Sequence, residues 1–225
     1  MSPVRFLVAA SLVMATMAGA GCVGPREVTD PVTGSPVNLG EVEVKEYKGE
    51  KLGSAADFRE NSISGPQAVD LETYSLKVSG EVSSPVTLSY DEVVDRTTYE
   101  KIVTLFCVEG WNVKVLWEGV RLSDLLDEAG YDPDAKVVIF TCADGYTTSL
   151  PLDYVVERDI LLAYRMNGID LPTERGFPFQ VVAEDKWGYK WAKWVTGIEV
   201  SNDTDYEGYW ESRGYDNEGT LPDKK

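Results

Sequence analysis

The sequence predicts one α+β domain that is rich in strands, forms mixed sheets and carries only short helices. Short apolar or alternating runs, which are typical of strands, end at Gly, Pro and Asn turn signals. Brief helical segments fall between these runs without the regular strand–helix–strand repeat of a wound parallel sheet. About 200 residues remain after the N-terminal segment, and with 43% apolar residues overall they suffice for a single sizeable core.

The first elements are a hairpin and a short helix. Residues 74–80 alternate apolar and polar side chains, as a half-buried strand does, and Ser83–Pro85 turns the chain after it. Ser89 and Glu92 have the spacing of a capping box, in which each side chain bonds the other residue's backbone N–H. We therefore expect a brief helix that runs through Val94.

Two apolar strands follow, with a helix between them. Residues 101–108 predict a buried strand that turns directly after its end. Ser123 is expected to cap a helix over residues 124–129, which Gly130 ends. Residues 136–142 are apolar throughout their middle, which favours a strand buried on both faces.

The last elements complete the mixed sheets. Residues 153–158 predict a helical turn or two, and residues 161–166 predict a strand closed by Asn167-Gly168, a dipeptide that tolerates the positive φ angles of a tight hairpin. Residues 179–183 and 191–200 predict two further strands.

The N-terminal region predicts a route out of the cytoplasm. Residues 1–22 have the pattern of a secretory signal, and Cys22 after small residues resembles a lipobox, so it is the expected lipid-attachment site. A plain cleaved signal or an uncleaved anchor is the alternative. Residues 23–45 predict a flexible tether and residues 46–225 the domain, with an aromatic C-terminal tail packed back on it. The protein is therefore expected outside the cytoplasmic membrane, held to it by the lipid.

Charge and residue counts exclude several functions. The chain has 21 basic and 38 acidic residues, a net charge of -17, and a surface this acidic repels a phosphate backbone, which excludes nucleic acid as a partner. It contains no histidine, which excludes Ser/His/Asp hydrolysis, Cys/His proteolysis and His-rich zinc sites within this chain.

Cys107 and Cys142 are the thiols left for chemistry, each at or near the end of a predicted strand. A thiolate at a strand end suits a soft metal or acts as a nucleophile, whereas a cysteine inside a core is only a small apolar residue. In an oxidising compartment two such thiols form a disulfide by default. On the residues alone, all of these interpretations stay open.

Seven stretches between residues 57 and 200 occur in an order that resembles a known family. They are Phe58–Asn61 with Gly65-Pro66, Cys107–Trp111, Trp117–Val120, Asp144–Pro151, Leu162–Gly168, Arg175–Pro178 and Gly188–Trp194. Together they resemble the molybdopterin-binding domain of the sulfite oxidase family, especially the branch that includes periplasmic methionine-sulfoxide reductase catalytic subunits. The resemblance implies a sulfite oxidase-like fold and a molybdenum-dependent oxidoreductase.

The resemblance also implies two catalytic residues. Cys107 falls on the cysteine whose sulfur binds molybdenum, or alternatively tungsten, while the other sulfurs come from the pterin dithiolene. Tyr146 falls on the tyrosine whose hydroxyl faces the substrate, where a phenol can donate a hydrogen bond or pass a proton.

Further positions are implied at the pterin and at the substrate. The residues expected at the cofactor are Cys142, Arg175, Gln180, Trp191, Ala192 and Lys193. Gln180 stands where many relatives carry arginine, so it can hydrogen-bond a phosphate but cannot neutralise it. An extended segment over residues 189–196 would place Lys193 on one face between aromatic residues. Arg165 and Arg213 are further anion contacts for the substrate.

These features predict an extracytoplasmic oxidoreductase that moves an oxygen atom or two electrons on a small sulfoxide, N-oxide or sulfite. A separate electron-transfer partner is expected, since the sequence has no haem motif and no cluster cysteines. Folded export of a loaded enzyme calls for a twin-arginine signal, whereas Arg5 stands alone. The alternatives are a cofactor-free envelope lipoprotein that uses the same fold to bind a ligand or protein, and a thiol redox protein that cycles Cys107 and Cys142.

Overall fold

The structure is a computed structural model that describes residues 28–222. The expected signal, Cys22 and the first part of the expected tether lie outside the described residues. The helices are α1 Leu39–Val42, α2 Tyr90–Val94, α3 Leu122–Ala129 and α4 Leu152–Glu157, and 3-10 turns lie at Ala55–Asp57, Thr173–Arg175, Gly188–Lys190 and Glu211–Arg213. Within residues 28–222, no helix is long and apolar enough to span a bilayer.

The strands of the described region are short and mostly antiparallel. They are β1 Glu46–Tyr47, β2 Glu50–Lys51, β3 Leu76–Gly80, β4 Val86–Leu88, β5 Tyr99–Phe106, β6 Asn112–Arg121, β7 Val137–Cys142, β8 Thr147–Pro151, β9 Leu161–Met166, β10 Ile169–Asp170, β11 Gln180–Val182 and β12 Val195–Ser201.

Two five-stranded sheets form the body. The first has the order β10-β9-β6-β5, with β11 also paired to β9, and all of its pairs are antiparallel. The second has the order β4-β3-β12-β7-β8, in which β12 and β3 are parallel and the other pairs antiparallel. The predicted α+β architecture of mixed sheets and short helices is confirmed. Strand β5 lies at an edge of its sheet, whereas β7 lies inside the other, and this difference decides the surroundings of the two cysteines.

Local sequence signals decide several boundaries. Strand β9 has the predicted bounds, and Asn167-Gly168 turns it into β10 with positive φ at both residues. The capping box of α2 forms, because the Glu92 N–H donates to Ser89 Oγ at 3.3 Å and the Ser89 N–H to Glu92 Oε2 at 2.8 Å. Gly130 ends α3 in the left-handed region at φ 64°.

Other expectations are corrected by the structure. Helix α3 begins at Leu122, two residues earlier than expected, so Ser123 lies inside the helix and does not cap it. Strands β6 and β8 were not predicted. The expected strand over residues 191–200 begins only at Val195, because residues 188–190 form a 3-10 turn and Trp194 has φ 54°. Residues 189–196 therefore do not alternate on one face.

Residues 28–45 pack against the domain. Val28 is fully buried, and the Thr29 hydroxyl donates to Glu174 Oε1 at 2.6 Å. The Val44 N–H donates to the Asn167 carbonyl at 2.9 Å. These residues therefore belong to the folded body and are not the free tether that their Pro and Gly content predicts.

The core carries an aromatic cluster that reaches one end of the molecule. The Trp117 and Trp191 ring centroids lie 5.6 Å apart, and Phe58 meets Trp117 edge-on at 6.1 Å. The indole N–H of Trp117 donates to the Val103 carbonyl at 3.2 Å, which satisfies its buried polar atom. Two members of this cluster, Phe58 and Trp191, line the cleft described next.

Candidate active site

A cleft opens where the β5–β6 connection, the 3-10 turn at Gly188–Lys190 and the C-terminal segment meet. The cavity volume of this cleft is about 190 Å³, which is room for on the order of ten waters. A space of that size suits a small organic molecule rather than a lone ion. Its aromatic lining residues are Phe58, Trp111, Tyr146, Tyr189, Trp191, Trp194, Trp210 and Tyr215.

Cys107 is the first residue of the turn that joins β5 to β6. Its N–H donates to the Trp111 carbonyl at 2.9 Å, and the Gly110 N–H donates to the Cys107 carbonyl at 3.0 Å. Cys107 lines the cleft and is 5% exposed. Its Sγ atom lies 3.6 Å from the Asn61 amide nitrogen. The strand therefore delivers the thiol to the end of the sheet, as predicted.

Two opposing effects act on the pKa of the Cys107 thiol. Burial raises its pKa above the ordinary value and outweighs the backbone N–H of Glu109, the Asn61 amide and Arg59, which favour the thiolate. A bound cation would reverse this balance, because a coordinating thiol is deprotonated outright.

The loop around Gly188 covers one side of the cysteine. Trp187 forms a parallel bridge with Phe106, the residue before Cys107. A Cβ atom added to Gly188 would lie 3.2 Å from the Leu105 side chain and 3.7 Å from the Cys107 Cα, so this approach favours glycine. The loop is thereby fixed close to the thiol.

Tyr146 lies on the cleft wall at the β7–β8 connection. Its N–H donates to Asp144 Oδ1 at 2.9 Å, and its hydroxyl donates to the Tyr189 carbonyl. Burial raises the pKa of this phenol far above its usual range. The phenol is thus uncharged, and its single hydrogen is already donated to the neighbouring loop.

Arg175 is a buried cation at the cleft wall. Its Nε donates to the Ala55 carbonyl at 3.0 Å and one terminal nitrogen to the Phe58 carbonyl at 3.1 Å. Its guanidinium also lies 5.4 Å from the centroid of the Phe58 ring. These contacts fix the guanidinium in place before any ligand arrives.

Lys193 is the second cation on this wall. Its Nζ donates to Glu60 Oε2 at 2.8 Å and lies 4.4 Å from the Trp194 ring centroid. Burial lowers the Lys193 pKa in spite of the attraction of Glu60. Burial alone would raise the Glu60 pKa, but Lys193 and the hydrogen bonds from Ser62 together outweigh it and hold that pKa below the usual value. Lys193 packs against Gly176, whose φ of 99° leaves no room for a side chain.

The remaining predicted cofactor residues divide into two groups. Gln180 and Trp191 line the cleft, and no hydrogen bond between described residues involves the amide of Gln180, which is 3% exposed. Cys142 and Ala192 are buried and are not among the residues that line the cleft, so the expected contact of Cys142 with the cofactor stays a prediction. In the second sheet Cys142 pairs with Val195.

The two arginines expected at the substrate lie elsewhere. Arg165 pairs with Glu118 at 3.3 Å and donates to the Gly168 carbonyl, and Arg213 stacks on the Tyr209 ring. Neither is among the residues that line the cleft. The sequence did not single out Asn61 and Glu60 individually, although both belong to the Phe58–Asn61 motif.

Both described cysteines are free thiols, so the disulfide between Cys107 and Cys142 is absent from the structure. In residues 28–222 no three Cys, Asp or Glu side chains come together in a group that could hold a metal ion.

Residues 63–210 match the oxidoreductase molybdopterin binding domain. The chain belongs to this family. The predicted family membership is confirmed, and the chain is a molybdopterin-binding oxidoreductase domain. The matched range includes most of the cleft but ends before Tyr215.

Several curated relatives are similar over much of the chain. The protein named uncharacterized oxidoreductase YuiH of Bacillus subtilis is 37% identical over 151 residues, which are 67% of this chain and 76% of that protein. Human mitochondrial sulfite oxidase is 31% identical over an alignment of 189 positions, which covers 70% of this chain and 34% of that protein. The protein-methionine-sulfoxide reductase catalytic subunit MsrP of Xanthomonas campestris is 33% identical over an alignment of 148 positions, which covers 59% of this chain and 46% of that protein.

The fold is also similar to a solved structure, the sulfane dehydrogenase SoxCD from Paracoccus pantotrophus. The TM-score is 0.59 at 24% sequence identity, over 62% of this chain and 41% of that chain. This likeness supports the predicted sulfite oxidase-like architecture.

The side chains of the cleft fit a molybdopterin. A thiol, the ligand type that soft metals prefer, faces the space from Cys107. Arg175 and Lys193 supply positive charge for a phosphate, and Gln180 presents an amide without a partner among the described residues. Aromatic walls suit a flat ring system.

Proposed function

We propose that this chain is an extracytoplasmic molybdenum oxidoreductase that moves an oxygen atom or two electrons on a small sulfoxide, N-oxide or sulfite. The observation that carries the proposal is the free thiol of Cys107 on the wall of a cleft that also presents the buried Arg175 and the half-buried Lys193. In a chain without histidine, this thiol is the ligand best suited to a soft metal.

Cys107 would hold the metal through its sulfur, and the wall around it would hold the pterin. Arg175 and Lys193 would face the phosphate, with Gln180 and Trp191 along the ring system. Since Cys142 is buried and is not among the residues that line the cleft, its role would be to support this wall. When bound, the cofactor supplies a two-electron redox centre that takes up or releases an oxygen atom.

The residues of the chain would position the substrate and control water. With the cofactor and substrate in place, the aromatic lining would reduce the access of bulk water, which strengthens each polar contact inside the cleft. Asn61, whose amide lies beside the Cys107 sulfur, would fix the orientation of that sulfur.

Tyr146 would donate a hydrogen bond to the substrate oxygen. Its hydroxyl must first release the Tyr189 carbonyl, because a phenol has one hydrogen to donate. The strongly raised pKa keeps the phenol protonated at neutral pH, so it remains a donor across the physiological range.

Two further parts of the proposal concern partners. A separate protein would deliver or accept electrons, and a lipid on Cys22 would hold the enzyme at the membrane. Tungsten in place of molybdenum is compatible with the same thiolate ligand.

Elemental and pterin analysis of protein purified from its native envelope tests the proposal. We expect about one molybdenum or tungsten, with one pterin, per chain, as one thiolate ligand per domain requires. Metal-free protein whose thiols never oxidise would instead support a cofactor-free binding module. Metal-free protein that cycles between dithiol and disulfide would support a thiol redox protein.

A further inference from the structure

We propose that Glu211 is a positioning residue, which fixes the Tyr189 carbonyl relative to Tyr146 so that the Tyr146 hydroxyl lies ready to turn to the substrate. The proposal rests on the proposed function, because it concerns how the hydroxyl of Tyr146 is presented. Glu211 is the first residue after the range 63–210 that matches the family, so the family match assigns it no role.

The C-terminal segment lies along strand β8, which begins directly after Tyr146. The Tyr209 N–H donates to the Thr147 carbonyl at 2.9 Å, and the ring centroids of Tyr209 and Tyr146 are 6.0 Å apart. A Cβ atom added to Gly208 would lie 2.3 Å from the Thr147 carbonyl oxygen, so this close approach requires glycine. The segment is therefore held directly against the start of the strand that follows Tyr146.

The carboxylate of Glu211 joins the two pieces of chain that meet at Tyr146. Its Oε1 atom accepts from the Thr148 hydroxyl at 2.5 Å and from Lys190 Nζ at 2.6 Å. Thr148 lies two residues after Tyr146. Lys190 directly follows Tyr189, whose carbonyl accepts the hydrogen bond of the Tyr146 hydroxyl. One carboxylate oxygen therefore links the chain on both sides of that hydrogen bond.

The energetic cost of this link indicates a role other than stability. The side chains of Glu211 and Lys190 have no exposed surface, and burial lowers the Lys190 pKa in spite of the attraction of Glu211. The second carboxylate oxygen, Oε2, is buried without a hydrogen-bond partner among the described residues. Apolar side chains of similar volume often stabilise a core as well as a buried ion pair does, and an unpartnered buried oxygen adds a further cost. What the pair provides is a fixed geometry.

The negative charge of Glu211 also acts on the phenol. After burial, it has the largest effect among those that raise the pKa of Tyr146, and Cys142, Asp144 and Tyr189 act in the same direction. The protonated phenol is the form that donates a hydrogen bond. The carboxylate that fixes the position of the hydroxyl therefore also favours its donor form.

Fluorine NMR of the full chain, as purified and labelled with fluorotyrosine, tests the proposal at Tyr146 itself. The resonance of this residue is the one that Tyr146→Phe removes. For Glu211→Gln we expect the resonance to shift by more than its linewidth, because the amide has no charge to hold Lys190 and the turn. An unchanged Tyr146 resonance in Glu211→Gln would overturn the proposal.

Two further variants control for folding and for the C-terminal segment as a whole. Glu218→Gln makes the same substitution in this segment, where the carboxylate lies 3.5 Å from Lys186 Nζ, and should leave the Tyr146 resonance in place. The double variant Lys190→Met with Glu211→Met leaves no unpaired charge in the core, so it should fold and shift the resonance as Glu211→Gln does. An equal shift in Glu218→Gln would contradict the specific role of Glu211.

A double-mutant cycle tests whether Glu211 acts through Tyr146. The assay uses whichever of trimethylamine N-oxide, dimethyl sulfoxide and sulfite the native protein turns over fastest, with reduced viologen as electron donor or ferricyanide as acceptor. Glu211→Gln should lower kcat at least about tenfold and change KM less than about twofold, because a misplaced donor weakens a contact made in the transition state. In a Tyr146→Phe background the same substitution should lower kcat less than about twofold. Equal losses in both backgrounds would overturn the proposal.

The two measurements keep this proposal separate from the proposed function. If Glu211→Gln shifts the Tyr146 resonance and Glu218→Gln does not, but the protein contains no molybdenum or tungsten, the proposed function fails and the positioning stands. If the protein contains the metal and turns over, but Glu211→Gln has the native kcat and the native Tyr146 resonance, the positioning fails and the function stands.

Discussion

Two hairpin connections in this domain have the same local design and different chemical surroundings. In each, a cysteine ends or follows a strand, a glycine with positive φ stands three residues later, and an aromatic residue follows that glycine. The Cys107 N–H donates to the Trp111 carbonyl at 2.9 Å, and the Cys142 N–H donates to the Tyr146 carbonyl at 3.0 Å. The turn itself therefore does not distinguish the two thiols.

Their sheets distinguish them. Strand β5 is an edge strand, so Cys107 has open space beside it and meets the Asn61 amide there. Strand β7 lies between β12 and β8, so Cys142 is enclosed, and burial raises its pKa far above the usual range. Local sequence makes the turn, and the position of the strand in its sheet decides whether the thiol can bind a ligand.

The largest expected difference is in activity. Cys107→Ser should lower kcat by more than about a hundredfold, because losing a metal ligand costs at least as much as losing a residue that orients one. Cys142→Ser should keep activity but lower the free energy of unfolding by about 1–3 kcal/mol, because burying a hydroxyl costs more free energy than burying a thiol. Turnover assays and urea unfolding measure both.

The paired variants control for each other. A Cys142→Ser protein that is folded yet inactive would show that both thiols serve the site, and the comparison would fail. An active Cys107→Ser protein would contradict the assignment of Cys107 as the metal ligand.

The second-largest expected difference between Cys107 and Cys142 is in the reactivity of their thiols. In metal-free protein, iodoacetamide should modify Cys107 at least about a hundredfold faster than Cys142, which requires local opening. Because burial raises the Cys107 pKa, its thiolate is scarce at neutral pH, and the rate should climb about tenfold per pH unit until the pH passes that pKa. Peptide mass spectrometry follows each site, and equal rates at the two cysteines would contradict the structure.

The smallest effect compares the two turn glycines. Gly110 and Gly145 have φ of 85° and 83°, and an added Cβ would meet no atom within 4 Å at either. Alanine at each should cost about 1–2 kcal/mol of stability, the cost of a left-handed backbone for a residue with a side chain. Gly110→Ala alone should also reduce metal content, because it shifts the turn that carries Cys107. A loss of metal in Gly145→Ala alone would reverse the assignment.

Much of the fold follows from short-range signals in the sequence. The Ser89 capping box, the Asn167-Gly168 turn and the Gly130 helix end all form, because each depends on residues within one turn of the chain. The position of Cys107 at the end of a strand also follows from the apolar run before it.

Other features depend on distant contacts. The segment before Val195 has the composition of a strand, but the Trp194 indole donates to the Thr173 carbonyl at 2.8 Å and bends the chain. Residues 28–45 have the composition of a linker, yet Glu174 and Asn167 bind them to the body. Arg175 was expected at the cofactor, and its two backbone partners come from more than a hundred residues earlier.

X-ray absorption at the metal edge tests the central claim, that the Cys107 sulfur holds the metal. Native protein and Cys142→Ser should show the same number of sulfur neighbours, and Cys107→Ser should show one fewer or no metal at all. The same number of sulfur neighbours in Cys107→Ser as in the native protein would contradict the account.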